Sequence, residues 1–268
     1  MSLQQRLLEL TQHFVDPFLK TARPLVGADQ LKEGTHIVAH RGAFGPSKQE
    51  NSVESFKRCL EADLFGIEFD IRWTKDLIPV IFHDPNTKRI TNLDLQLSEL
   101  EFSKLRKLCP SIPTFEESLD LIGGKCKMFI ELKELPDHQS KKKKEILESH
   151  LAAFRPQEDF YLLTLIPEVI AGLNLSIPRE SMVVVGQLNL PELEEYLFNN
   201  GWGGIAGHYA LVKDELISRC HENGKKVGTG HISSFKILRR EVTRGIDWHF
   251  SNTPINLSDK IHQETISL

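Results

Sequence analysis

Charged and imidazole side chains stand at the ends of short apolar runs in this chain. His40 and Arg41 follow HIVA, Glu68, Asp70 and Arg72 alternate through GIEFDIRW, His83 and Asp84 close IPVIFHD, and Glu131 and Lys133 close KMFIELK. Alternate residues of an extended strand share a face, so Glu68 and Asp70 point the same way. A charge inside an apolar strand is costly unless it is paired or bound to metal. One such residue alone reads as a buried ion pair, whereas three carboxylates and two histidines recurring at successive strand ends imply a site. Three carboxylates held close together cannot all stay ionised without a cation. Glu68, Asp70 and Glu131 offer only hard oxygen donors, which suit Mg²⁺, Ca²⁺ or Mn²⁺ better than zinc. His40 and His83 remain for proton transfer, because imidazole titrates near neutral pH. Arg41 and Lys133 supply positive charge for an anion, and a guanidinium can grip phosphate by two hydrogen bonds. Cleavage at a phosphate ester is the chemistry this set implies.

These residues need a scaffold that gathers strand ends. From residue 36 the sequence alternates short apolar runs with helix-like segments. The runs cover 36–40, 66–73, 78–84, 127–132, 160–165, 182–188, 203–209, 225–231 and 247–252, and the helical segments include 52–62, 140–153, 190–200, 212–223 and 233–243. Strands alternating with helices imply parallel βαβ units, and about eight of them close a barrel of about 250 residues. The expected fold is a single TIM-like (β/α)₈ barrel over 35–268, preceded by an N-terminal helical extension over 1–34. No glycine-rich phosphate fingerprint follows the first strand, which argues against a doubly wound open sheet. Two strands in succession, 66–73 and 78–84, break the rhythm, and residues 84–126 read as an elaborated loop at the barrel mouth. Leu3, Leu7, Leu8, Leu10, Phe14, Val15 and Phe18 predict an amphipathic helix over 2–20. The run Lys141–Lys144 reads as a solvated helix face.

Bulk composition narrows the partners. Apolar residues make up 40% of the chain and charged ones 26%, the balance of a globular protein with a core. With 33 Lys and Arg against 37 Asp and Glu, the net charge of −4 gives no footprint for nucleic acid. No apolar run approaches the ~20 residues that span a bilayer, and Gln, Arg and Glu interrupt any secretory core at the N-terminus. Cys59, Cys109, Cys126 and Cys220 form no CxxC pair. They read as free buried thiols, so a cytoplasmic location is expected.

The order HRG (40–42), EN (50–51), EFD (68–70), TKD (74–76) through PVIFHD (79–84), then ELK (131–133), resembles the glycerophosphodiester phosphodiesterase family. The spacing matches over roughly a hundred residues, and GIDWHFSNTP (245–254) is similar to that family's closing stretch. The resemblance implies a TIM-like barrel, a divalent cation, and hydrolysis of small glycerophosphodiesters to glycerol 3-phosphate and an alcohol. It implies His40 and His83 as the acid/base pair and Glu68, Asp70 and Glu131 as metal ligands. Arg41 would bind phosphate with Lys133 beside it, and Asn51 would position the first loop or a substrate hydroxyl.

Departures from the pattern lie late in the chain. Gly228 takes the place of an aromatic residue and His231 that of an asparagine, Thr164-Leu165 replaces Ser-Phe, and Asn252 replaces the closing aspartate. The expectation is that these changes leave the metal ligands and both histidines untouched. Gly228 is expected to open space at the mouth and so to broaden tolerance for the leaving group. His208, His231 and His249 near late strand ends read as structural. Two other functions compete. A phospholipase D-like enzyme acting on lysophospholipids or sphingolipids would need an apolar mouth, for which Ile90, Leu93, Leu95, Leu97, Leu100 and Phe102 are the candidates. A catalytically dead binding barrel is disfavoured because both histidines and all three carboxylates are present.

Overall fold

The structure, a computed structural model, describes residues 25–45 and 49–266. The predicted helix over 2–20 lies outside the described residues. Among the described residues nine strands form one sheet in the order β1-β9-β8-β7-β6-β5-β4-β2-β3, and β1 also pairs with β2, which closes it. The strands are β1 (Ile37–His40), β2 (Gly66–Trp73), β3 (Pro79–Ile81), β4 (Lys127–Leu132), β5 (Phe160–Thr164), β6 (Met182–Val185), β7 (Gly204–His208), β8 (Lys226–Gly230) and β9 (Trp248–Ser251). Only β3 is antiparallel, paired to the end of β2, so eight parallel strands make the expected barrel.

Helices follow the strands on the outside: α1 (Ala28–Gly34), α2 (Val53–Glu61), α3 (Lys88–Thr91), α4 (Phe102–Leu108), α5 (Phe115–Ile122), α6 (Ser140–Leu151), α7 (Pro167–Ala171), α8 (Leu190–Asn200), α9 (Asp214–Glu222), α10 (Phe235–Arg244) and α11 (Pro254–Ile266). Local chemistry sets the boundaries. Ser52 and Ser55 form a capping box at the start of α2, and Thr114 and Glu117 form one at α5. Gly201 and Gly245 end α8 and α10 in the left-handed conformation that glycine adopts without cost. The segment before the barrel docks on its last helices, where Arg239 of α10 donates to the Val26 carbonyl and Val26 N–H donates to Thr243 Oγ1.

Three apolar clusters form among the described residues. The largest lies between barrel and helices. Val38, Phe129, Tyr161, Leu163, Val183, Ala206, Trp248 and Phe250 fill the barrel interior. The third joins β3 to the segment after it, through Val80, Phe82, Leu97, Leu100, Leu105, Cys109 and Ile112. The stretch read as one elaborated loop is therefore an insert with its own core up to Ile112, whereas α5 is the ordinary barrel helix between β2 and β4. Leu97 and Leu100 are spent on that core and Ile90, Leu95 and Phe102 pack on it, so of the six apolar candidates only Leu93 is exposed. All four cysteines are free, and among the described residues no helix is long and apolar enough to cross a membrane.

Candidate active site

Parallel barrel strands deliver their C-terminal ends to one face. His40 is the last residue of β1 and pairs in register with Glu68 of β2, while Asp70 of β2 pairs with Glu131 of β4. One oxygen each from Glu68, Asp70 and Glu131 lies within 4.8 Å of the others, and all three side chains are buried. Lys133, just past β4, places Nζ 2.8 Å from Asp70 Oδ1 and pairs with Glu131. The Arg41 backbone N–H donates to Glu68 Oε2 at 2.9 Å, and Arg41 Nε lies 3.5 Å from Asp70 Oδ2. Among the described residues Glu68 Oε1 has no hydrogen-bond partner.

Electrostatics at the cluster are uneven. Burial, then the charges of Asp70 and Glu131, push Glu68 well above the usual carboxylate range. Burial also opposes ionisation of Asp70, but Lys133 and Arg41 outweigh it and hold that carboxyl far down. Glu131 is raised by burial and by Asp70, against the pull of Lys133. A lone oxygen on Glu68, beside two other carboxylates, is a donor set that fits a hard divalent cation.

The β1–α2 loop turns sharply: Arg41, Gly42 and Asn51 have φ of 57°, 81° and 51°. A Cβ on Gly42 would sit 2.5 Å from Ser55 Oγ, so glycine is required there. Asn51 returns the chain to the site. Its backbone N–H donates to the Arg41 carbonyl, and its Nδ2 donates to Asp70 Oδ2 at 2.7 Å. Of the two tasks expected of Asn51, these contacts match positioning of the loop.

His83 does not end a barrel strand, contrary to the sequence reading. Strand β3 runs back antiparallel along β2, and the chain beyond it reaches the site, where Phe82 N–H donates to the Asp70 carbonyl. Arg72 holds the return by donating to the His83 carbonyl through Nε at 3.0 Å and Nη2 at 2.9 Å. His83 Nδ1 lies 2.7 Å from Asp84 Oδ1. Burial lowers the His83 pKa, and Asp70 and Asp84 oppose that shift. Arg89 pairs with both Asp84 and Glu50, and Glu50 pairs with Arg41. The sequence reading named Arg72 and Asp84 at strand ends and quoted Glu50 in EN without giving any of them a role, and it passed over Arg89. Two of them, in EN and HD, adjoin residues it chose.

His40 has a different second partner. Its Nδ1 lies 2.6 Å from Asn252 Oδ1, across the barrel closure. The expectation that late departures spare the histidines is overturned here: Asn252, standing where an aspartate was expected, touches His40 and brings an acceptor oxygen without a charge. Burial and then Arg41 lower the His40 pKa to about 3, so the ring is neutral at neutral pH.

Gly228 does not open the mouth. It faces the barrel interior, where a Cβ would come 2.8 Å from Phe250 Cε2 and 3.2 Å from Ala206 Cβ. The Phe250 ring already fills the space an aromatic residue would take. Gly230, next along the same face toward the mouth, has only the Gly207 carbonyl nearby at 3.8 Å. His208 and His231 lie at that rim with ring centroids 5.2 Å apart, and the charge of His231 contributes to holding His40 down.

His249 alternates away from Trp248 and Phe250, is fully buried, and contacts His36. Burial lowers its pKa from 6.5 to about 4. The unfolded chain therefore binds this proton first. The contribution to stability is complete above pH 6.5 and is lost as pH falls from there through 4, on the order of 3 kcal/mol in all. Urea unfolding at pH 7 and pH 4.5 should show a steep acid loss in the wild type and a shallower one in His249→Leu. Equal slopes would refute this.

The glycerophosphoryl diester phosphodiesterase family profile matches residues 40–228. A glycerophosphodiester phosphodiesterase from Caldanaerobacter subterraneus subsp. tengcongensis is 24% identical over 245 residues, covering 85% of this chain and 98% of the relative. A phosphodiesterase structure from Oleispira antarctica, in complex with the product sn-glycerol-3-phosphate, superposes with a TM-score of 0.74 at 20% identity, over 87% of this chain and 99% of that one. A glycerophosphodiester phosphodiesterase structure from Thermotoga maritima gives 0.70 at 19% identity, over 85% and 98%.

Proposed function

This chain belongs to the glycerophosphoryl diester phosphodiesterase family, and from that membership we propose that it hydrolyses small glycerophosphodiesters to glycerol 3-phosphate and an alcohol, with a divalent cation and two histidines. The observation that carries the reading is the convergence of Glu68, Asp70 and Glu131 with two histidines whose Nδ1 atoms are each engaged by an acceptor. Glu68, Asp70 and Glu131 would hold Mg²⁺, Ca²⁺ or Mn²⁺. When bound, such an ion polarises the phosphoryl oxygens.

The chain's own residues then divide the work. Arg41 and Lys133 hold the phosphate on the basic side of the cluster. With Nδ1–H donating to Asn252, neutral His40 leaves Nε2 as a lone pair, suited to take the proton of the attacking water. His83 donates Nδ1–H to the Asp84 carboxylate, which offsets part of the lowering that burial imposes on its pKa. It is suited to give a proton to the departing alkoxide as the phosphorus–oxygen bond breaks. The glycerol 3-phosphate bound to the Oleispira antarctica structure supports the product assignment. Free thiols suit a reducing compartment, and the cytoplasm is the proposed location.

A second reading, hydrolysis of lysophospholipids, is favoured by one observation at the mouth. Leu135, Ile166 and Leu188 are 57%, 45% and 79% exposed, on the loops after the consecutive strands β4, β5 and β6. Each of these loops carries one exposed apolar side chain, and none of the three is among the six candidates between Ile90 and Phe102. Competition kinetics separate the two readings. A higher kcat/KM for glycerophosphocholine and glycerophosphoethanolamine than for lysophosphatidylcholine is the expected result, with glycerol 3-phosphate as product. A preference for the lysolipid by orders of magnitude, abolished in Leu135→Ser/Ile166→Ser/Leu188→Ser, would install the second reading instead.

A further inference from the structure

Outside the carboxylate cluster, ion pairs link the two sides of the site in an unbroken series. Arg41 Nη1 donates to Glu50 Oε1 at 3.0 Å. Arg89 Nη2 donates to the same oxygen at 2.6 Å, and its Nη1 donates to Glu50 Oε2 at 3.1 Å. On its other edge Arg89 Nε donates to Asp84 Oδ2. Asp84 Oδ1 completes the series at His83 Nδ1, 2.7 Å away. Arg89 thus joins the element bearing Arg41 to the element bearing His83, though the two carboxylates it bridges are 39 and 5 residues from it in sequence.

We infer that Arg89 is a positioning residue for catalysis: it fixes Asp84 against His83, and with it the placing of the imidazole relative to Arg41. The inference rests on the reading of His83 as the proton donor. Two carboxylates brought to one guanidinium repel each other without it. A planar guanidinium donates from two edges at once, whereas an ammonium is a point charge on a flexible stem. The base of Arg89 is itself held. Thr87 is fully buried, its N–H donates to the Leu95 carbonyl, its hydroxyl donates to the Leu93 carbonyl, and its own carbonyl accepts from Ile90 and Thr91. The guanidinium remains partly exposed, and exposed ion pairs contribute little to stability. A purely structural bridge would therefore be poor use of this arrangement, while orientation of an acid is worth much more.

The test uses the full chain loaded with Mg²⁺ and two substrates. Glycerophosphocholine has a poor leaving group that needs protonation. Glycerol 3-(4-nitrophenyl) phosphate has a good one that leaves unprotonated. On glycerophosphocholine, Arg89→Ala should lose about 10- to 100-fold in kcat, the range typical of partners that orient a working residue, with a smaller change in KM. On the nitrophenyl ester the loss should shrink to a few-fold, and Arg89→Lys should recover part of the rate. Thermal unfolding of both variants should match the wild type, which separates orientation from folding. Equal losses on the two esters, or kcat kept within twofold on glycerophosphocholine, would overturn the inference. His83→Ala serves as reference: if it shows the leaving-group signature and Arg89→Ala does not, only the role of Arg89 fails. If His83→Ala itself lacks the signature, the parent reading fails.

Discussion

His83→Ala and His40→Ala are each expected to lower kcat on glycerophosphocholine by about 10²- to 10⁴-fold, the range for loss of a positioned acid or base. Both side chains are about a third exposed, at 28% and 30%, and neither packs in an apolar cluster, so both variants should fold. The two losses should differ in kind. On the proposed reading His40, neutral and held by an uncharged amide, would work as acceptor, and its removal should slow activation of water whatever the leaving group. His83, held by a carboxylate, would work as donor on the same reading, and its removal should be felt most with poor leaving groups. Asn252→Asp supplies a control, because a carboxylate accepting from His40 Nδ1 would raise the basicity of Nε2. Near-normal kcat in either alanine variant would remove that histidine from the reaction.

Metal removal should be as drastic. After dialysis against chelator, activity should fall to background and return with Mg²⁺, Ca²⁺ or Mn²⁺. Glu131→Gln isolates the cause. Without bound metal the variant should be no less stable than the wild type, since burial and the charge of Asp70 oppose ionisation of Glu131, and Glu131 in turn opposes that of Glu68. The gain in stability on adding cation, about 2.7 kcal/mol at a hundredfold excess over Kd, should be present in the wild type and missing in the variant. Full activity in excess chelator would refute metal dependence outright.

The site was largely legible in sequence because barrel strands expose it there. Glu68 and Asp70 interrupt an apolar strand on one face, and Glu131 repeats the interruption on the next parallel strand, a pattern that burial alone does not explain. What escaped depended on contacts far apart in the chain. A short apolar run reads alike as a barrel strand or a returning hairpin, so the delivery of His83 was misjudged. Asn252 meets His40 only because the ninth strand closes on the first. The space at Gly228 is decided by Phe250 on the adjacent strand, which no local pattern reports. Glu50 was quoted in EN without a role of its own, and Arg89 sits in the short helix α3 with nothing local to mark it, so their pairing showed only once the two segments were seen to meet.

The insert around β3 carries one further consequence. His40 and the three carboxylates belong to the barrel, whereas His83 hangs on a segment with a small hydrophobic core of its own. Proteins open in cooperative units, and a peripheral unit with few buried contacts opens at lower free energy than a closed sheet. Heat or denaturant should thus reach the insert first. Catalysis would then fail while the eight-stranded scaffold and its carboxylate cluster still stood. Loss of activity on heating should then track opening of the segment from Pro79 to Ile112 rather than unfolding of the barrel.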